Sequence, residues 1–248
     1  MIWNGGSVFM GGTSLKEVEE CRNKWEYLGI PLQITITNPC LIKEDCYDRY
    51  CNKILEIMEN GKNEVLISSE ILEEYIRKEF PGYKINSSII RESKINTNKI
   101  IYDETIFSKY ENIVLPKRYL KDFEYLNKID KKFRNKIEFL CTDPCPSNCP
   151  KINSHYEEMG KTTLFEIYDD FKLHCSSINH SDLFGTQQFI QDQILYEEIV
   201  KDFLPLGYTE FKISGRGESL GVLLNLLPYI IKPEYHLLVI KYLLSILL

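Results

Sequence analysis

The sequence lacks both a long basic stretch and a long apolar stretch. Its 36 acidic residues outnumber its 30 basic residues, which gives a formal net charge of −6. Basic residues adjoin one another only in short pairs such as Lys131-Lys132, and this argues against a broad nucleic-acid-binding surface. A bilayer-spanning helix needs about 20 apolar residues. The apolar stretch at 237–248 is shorter and contains Lys241, so we expect no transmembrane segment there. A final helix packed on the domain is predicted, with a membrane-surface anchor as the alternative.

The first residues also lack the features of a secretory signal. The segment Met1-Ile-Trp-Asn-Gly-Gly6 has no charged flank and no apolar run. We therefore expect a cytoplasmic protein. In that compartment, and in a chain of 248 residues, the eight cysteines are expected to be reduced thiols or metal ligands rather than disulfides.

Short strand-like runs alternate with helical patterns along the chain. With 44% hydrophobic and 27% charged residues, the composition is that of an ordinary globular protein. Strands are predicted at residues 31–37, 64–68, 84–90, 112–115, 136–141 and 208–213. Helices are predicted at residues 44–60, 70–80, 120–133 and 192–204.

This order predicts parallel strands joined by right-handed crossovers. We interpret residues 1–248 as one α/β domain, a (β/α) barrel of TIM type that is incomplete or lacks its first strand. An open doubly wound sheet is the second interpretation. The glycine-rich phosphate loop expected of such a sheet is absent, because neither Gly5-Gly6 nor Gly11-Gly12 precedes a strand-to-helix unit of that kind.

In a parallel sheet, chemistry collects where the strands end. The residues at or just after the predicted strand ends are Asn38, Ser68, Ser87, Pro116-Lys117, the loop from Cys141, and Gly215-Arg216. No histidine has an evident place beside the serines, so no hydrolase triad is predicted. We expect the functional site at this edge.

The most informative stretch is the loop Cys141-Thr-Asp-Pro-Cys145-Pro-Ser-Asn-Cys149-Pro150. Its spacing allows two sulfurs to converge on one metal or cluster, and its prolines reduce the entropy lost when the loop is ordered. Cys175 follows another candidate strand end, and Cys40 follows the strand at 31–37. An iron–sulfur cluster prefers thiolate ligands. Zinc is the alternative, with a ligand from among His155, His174 and His180. Buried structural thiols are a further interpretation. A redox pair of Cys145 and Cys149 is ranked below these interpretations.

The late strand carries two basic residues that could bind an anion. Side chains alternate along Phe211-Lys-Ile-Ser-Gly-Arg216, so Lys212 lies on the face opposite Phe211 and Ile213. A lysine within such a strand needs the barrel mouth or a partner. Arg216 suits a carboxylate or phosphate, and an ion pair with an acid such as Glu218 is the alternative.

Several of these segments resemble the collagenase-like peptidases of unassigned mechanism, family U-32. The similar blocks are Trp3-Asn-Gly-Gly6, Thr35-Ile-Thr-Asn38, Glu138-Phe-Leu140, Cys145-Pro-Ser-Asn-Cys149-Pro150 with His155-Tyr156, and Gly207-Tyr-Thr-Glu-Phe-Lys-Ile-Ser-Gly-Arg216. The three-residue interval between Cys145 and Cys149 is shorter than in the peptidase branch, and Ser214 replaces an acidic residue. The non-proteolytic branch is therefore the closer likeness.

The resemblance implies a (β/α) barrel that holds a 4Fe-4S cluster through four cysteines. Carried over by residue, the ligands would be Cys145, Cys149 and Cys175, with Cys40 as the fourth. An oxygen-independent redox or hydroxylation reaction is implied, with Asn38, Lys212 and Arg216 as substrate contacts and a related barrel protein as a possible hetero- or homo-oligomeric partner. A protease-like hydrolase and a non-catalytic barrel with structural or zinc-binding thiols are the alternatives, and no catalytic residue is assigned.

Overall fold

The structure is a computed structural model that describes residues 1–5, 13–94, 102–142, 145, 147, 149–165, 193–213, 229, 235 and 241. Its internal contacts divide the chain into two compact units. The first unit contains Met1–Pro116 and Cys149–Ser177, and the second contains Lys117–Asn148 and Ile178–Leu248. The single domain over 1–248 stays a prediction.

The first unit is built on four parallel strands that neighbour one another in chain order. They are β1 (Gln33–Ile36), β2 (Glu64–Ile67), β3 (Lys84–Ser87) and β4 (Ile113–Val114). Gln33 pairs with Glu64, and Glu64 pairs with Lys84, so the first three strands begin at the same level. The predicted parallel α/β arrangement is confirmed for this unit.

The second unit contains a further parallel pair. β5 (Ile137–Leu140) pairs with β6 (Glu210–Lys212), with Phe139 opposite Phe211. The Phe139 ring also lies 5.0 Å from the rings of Phe203 and Tyr208. Both of these residues are fully buried, so aromatic packing forms the core of this unit.

Most of the helices lie between strands in the order along the chain. They are α1 (Leu15–Tyr27), α2 (Arg49–Met58), α3 (Glu70–Glu79), α4 (Ile89–Lys94), α5 (Glu104–Phe107), α6 (Phe123–Lys128), α7 (Ile152–Phe165) and α8 (Tyr196–Glu198). A π-helical turn over Ile199–Phe203 continues α8. Within the described ranges, none of the helices is both long and apolar enough to cross a membrane.

The predicted elements differ from the observed ones where a polar side chain ends or starts a segment. The strand predicted at 84–90 ends at Ser87, because the next residue, Ser88, accepts a hydrogen bond from the Arg91 amide and starts α4. The helix predicted at 44–60 begins only at Arg49, where the Asp48 side chain accepts from the amide of Cys51.

Two helical predictions in the second unit were too long, and four of the described helices were not predicted. Only Phe123–Lys128 is α-helical within the predicted segment 120–133. The helix predicted at 192–204 becomes the short α8 and its π-helical turn. The helices that were not predicted are α1, α4, α5 and α7.

The two faces of the β1–β3 sheet differ in polarity. Ile36, Val65 and Ile67 are fully buried on one face. On the other face lie Glu64 and Asn86, whose side chains are joined by a 2.7 Å hydrogen bond from Asn86 Nδ2 to Glu64 Oε2. Parallel sheets are usually apolar on both faces, whereas here one face carries a hydrogen-bonded polar pair.

Candidate functional site

Asn38, just beyond the end of β1, organises the strand-end region of the first unit. It is fully buried. Its Nδ2 donates to the carbonyl oxygens of Ile2 at 2.7 Å and Gly160 at 3.0 Å, and its Oδ1 accepts from the Cys40 amide at 2.9 Å. The side chain thus joins the N-terminal segment, the strand end and α7. The role of Asn38 in contacting a substrate stays a prediction.

The N-terminal segment packs directly against this strand end. The Asn38 amide donates to the Trp3 carbonyl at 2.8 Å. A methyl group added at Gly5 would come within 2.6 Å of the Asn38 Cα atom, so the close approach requires glycine. Trp3 is fully buried, and its Nε1 donates to the Asp45 carbonyl at 2.8 Å. Two of the blocks quoted for the family resemblance therefore pack on each other.

Cys40 lies at the same strand end, partly buried against α7. Its thiol donates to the Glu157 carbonyl at 3.4 Å, and burial raises the pKa of this thiol. A methyl group added at Gly160 would lie 3.2 Å from its sulfur. The Cys40 sulfur therefore contacts the middle of α7.

Cys149 lies just before the first residue of α7. It is a partly buried, reduced thiol, and its carbonyl accepts from the amide of Ile152, the first residue of α7. Eight residues separate Ile152 from Gly160, which corresponds to roughly 12 Å of helical rise. Two sulfurs on one zinc ion lie within about 5 Å of each other, because each Zn–S bond is about 2.3 Å long. The Cys40 sulfur contacts α7 at Glu157 and Gly160, whereas Cys149 precedes the first residue of that helix.

Hydroxyl groups lie at the C-terminal ends of β1, β2 and β3, and they fall into two kinds. Ser87 is fully buried and donates to the carboxylate of Glu92, which also accepts from Tyr102 at 2.9 Å. The hydroxyls of Thr37 and Ser68 are also buried, and neither has a hydrogen-bond partner among the described residues. Because buried hydroxyls are usually paired, Thr37 and Ser68 stand out as polar atoms still able to bind.

Cys141, in the second unit, belongs to the strand rather than to the loop. Its amide donates to the Lys212 carbonyl at 2.8 Å, which extends the β5–β6 pairing by one residue. Its thiol is fully buried and donates to the Phe139 carbonyl at 3.6 Å. Burial raises the pKa of this thiol to about 12, so Cys141 is poorly suited to act as a thiolate.

The main chain of Cys145 is hydrogen-bonded by the buried Lys117. Its thiol is reduced and partly exposed. The ammonium group of Lys117 donates to the Cys145 main-chain carbonyl, and Lys117 is only 3% exposed. Lys117 appeared among the predicted strand-end positions but was not assigned a role, since its burial cannot be read from the sequence.

Lys212 has an acidic partner on the neighbouring strand. Its Nζ lies 3.4 Å from Glu138 Oε1, and the two side chains are 17% and 12% exposed. The predicted need for a partner is therefore met by Glu138. Arg216, the second predicted anion contact, lies outside the described residues, as does its alternative partner Glu218.

The described thiols fit an iron–sulfur cluster in chemical type but not in grouping. All seven described cysteines are reduced thiols. Within the described ranges, no three His, Cys, Asp or Glu side chains are grouped so that they could hold a metal ion. Cys175, His174 and His180 lie outside those ranges. His155 is described in α7, where its ring stacks parallel to the Tyr156 ring.

Comparison with known proteins adds no relative. No family model, no curated protein and no solved structure matches this chain. The resemblance to family U-32 therefore depends on the quoted residues alone.

Proposed function

We propose that this chain is a (β/α) barrel protein, similar to the non-proteolytic branch of family U-32, that binds a 4Fe-4S cluster and acts in an oxygen-independent redox or hydroxylation reaction. Cys145, Cys149 and Cys175 would hold the cluster, with Cys40 as the fourth ligand. When bound, such a cluster supplies one-electron transfer. A related barrel protein, or a second copy of this chain, would be its partner.

The contrast between the cysteines of the 141–149 segment is the observation that carries this proposal. Cys141 is fully buried with a raised thiol pKa, whereas Cys145 and Cys149 are partly exposed, reduced thiols. Thiolates, rather than thiols, bind metals. The two cysteines with the spacing expected of ligands are thus the two that an incoming metal can reach.

The arrangement of the strands supports the location of the reaction. The strands pair in parallel within each unit, and ligands of such sheets bind where the strands end. Lys212, in the last of these strands, already has an ion pair with Glu138. A substrate anion would therefore be bound by Lys212 within this pair and by Arg216, rather than by Lys212 alone.

Anaerobic purification with assays of iron, sulfide and zinc tests the proposal. We expect about four iron atoms per chain after reconstitution, and an absorption band at about 400 nm that is typical of thiolate-ligated clusters. Serine substitutions at Cys145, Cys149 and Cys175 should each reduce the iron content strongly. Cys21→Ser, which changes an exposed thiol on α1, is the matched control and should retain full iron content.

The other outcomes separate the alternative functions. A colourless, iron-free protein after anaerobic reconstitution would refute the cluster. Zinc bound without iron would favour a non-catalytic barrel with a structural metal. Cleavage of gelatin or casein, abolished by a single substitution, would favour a protease-like hydrolase.

The fourth ligand needs its own variant. The Cys40 thiol contacts α7 about two helical turns beyond the start of the helix. Cys149 lies just before that start. If Cys40→Ser retains the full iron content while the other three serine variants lose it, the fourth ligand is not Cys40.

A further inference from the structure

Lys117 is one of two almost fully buried basic residues in the described part of the second unit. Lysine is among the residues least often buried, because an ammonium group loses much hydration energy unless hydrogen-bond partners compensate. The Lys117 ammonium donates to the main-chain carbonyl of Cys145. The positive charge of Lys117 therefore lies against the main chain of Cys145 in the cysteine loop.

The other buried basic residue, Arg134, has a structural role. Arg134 is 4% exposed. Its guanidinium donates to the carbonyls of Ile129, Leu206 and Asn127 at 2.8–2.9 Å, and it lies over the Tyr208 ring. These carbonyls belong to helix ends and turns. Arg134 thus joins pieces of the scaffold, whereas Lys117 contacts the loop that carries a predicted ligand.

We propose that Lys117 is a positioning residue for Cys145. Its ammonium holds the main chain of the loop, so that the Cys145 thiol is presented at a fixed place. It also places a positive charge at the main chain of Cys145. The nature of the metal centre that Cys145 would bind rests on the proposed function, but the anchoring of the loop does not.

Hydrogen exchange on the full chain, without metal, tests the anchoring. Lys117→Met keeps an unbranched apolar side chain, one atom shorter, but removes the charge and the donor. The amides of the peptide spanning 141–149 should then exchange at least about tenfold faster, because the loop loses a hydrogen bond from a charged group. Lys117→Arg keeps the charge and should restore slow exchange in large part.

Two controls separate anchoring from general destabilisation. Lys128→Met changes an exposed lysine of α6 that pairs with Glu124, and it should leave exchange at 141–149 unchanged. Peptides from β5 and from the Phe203–Tyr208 region should exchange as in the wild-type chain in every variant. If exchange at 141–149 is unchanged in Lys117→Met, or accelerates only together with those core peptides, the proposal is wrong.

A second readout addresses the metal centre. In reconstituted protein, Lys117→Met should lose iron to a chelator about tenfold faster, a typical effect of removing a group that supports a metal ligand. It should also shift the absorption spectrum, whereas Arg134→Lys should not. If wild-type protein binds no iron, the cluster proposal fails, and hydrogen exchange alone then decides the role of Lys117.

Discussion

Arg91 of α4 forms an ion pair with Glu73 of α3, and the two side chains are 19% and 11% exposed. Glu73 also accepts from the Tyr110 hydroxyl at 2.8 Å and from Arg77 Nε at 2.9 Å. Burial by itself raises the pKa of Glu73, but the hydrogen bonds and the arginine charge outweigh it and hold the pKa below its usual value. One carboxylate therefore links α3, α4 and the segment before β4.

Glu73→Gln should lower the free energy of unfolding by about 3 kcal/mol, because it leaves the largely buried guanidinium of Arg91 with the exposed Glu70 as its remaining acidic partner. Urea unfolding at pH 7 measures this loss. Glu74→Gln changes an exposed neighbour in the same helix and should cost less than about 0.5 kcal/mol. Equal effects of the two substitutions would contradict the role assigned to Glu73.

The same carboxylate predicts the direction of a pH dependence. Because the pKa of Glu73 is lower in the folded chain than in the unfolded chain, its contribution is fully present above the unfolded value, about 4.3. That contribution is lost as the pH falls through the lower folded value. The stability difference between the wild type and Glu73→Gln, measured by urea unfolding, should therefore be constant from pH 6 to 8 and shrink below about pH 4.

Thr37→Val should not destabilise the protein. The Thr37 hydroxyl is buried and lacks a hydrogen-bond partner within the part of the chain that the structure describes, so its removal relieves a cost of about 1 kcal/mol or more. The matched control is Thr163→Val, which removes an equally buried hydroxyl that donates to the Met159 carbonyl at 3.0 Å. Thermal unfolding should show a loss only for Thr163→Val. A similar loss at Thr37 would indicate that its hydroxyl binds water or a ligand in solution.

Gly160→Ala should reverse the usual effect of this substitution in a helix. Alanine normally stabilises a helix interior by about 1 kcal/mol relative to glycine. Here the new methyl group would lie 2.5 Å from Asn38 Oδ1, and we expect a loss of about 1–3 kcal/mol from overpacking. Lys161→Ala, at the exposed next position of α7, should be nearly neutral in the same denaturation experiment. A stabilised Gly160→Ala variant would mean that α7 does not pack against the β1 strand end as described.

Alkylation of the native protein should rank the thiols by burial. Cys21 is exposed, whereas burial raises the pKa of the Cys51 and Cys141 thiols to about 12. At pH 8, iodoacetamide should therefore modify Cys21 readily and leave Cys51 and Cys141 largely unmodified, since the thiolate is the reactive form. Peptide mass spectrometry measures each site, and unfolding in urea should abolish the difference. Rapid modification of Cys141 in the folded chain would contradict its position within the β5 pairing.

Some helices could be predicted because their signals are local. Ser69, followed by the acidic first turn of α3, predicts the start of the helix that the structure has at Glu70. The same kind of signal precedes α1, where Ser14 and Glu17 form a capping box, and it could have revealed that helix. By contrast, α7 contains Gly160, Thr162 and Thr163, which are weak helix formers. It depends on the packing of Tyr156 and Met159 against Ile90.

The sequence by itself determined the kind of protein: strands and helices in alternation, parallel pairing, and six strands close to their predicted positions. These follow from periodicity and turn residues, which act between near neighbours in the chain. Only the tertiary structure decided which strand-end residues meet. Asn38 bonds to Gly160 across 122 residues, and Lys117 is buried beneath Cys145, because such contacts depend on how distant segments pack and not on the residues beside them.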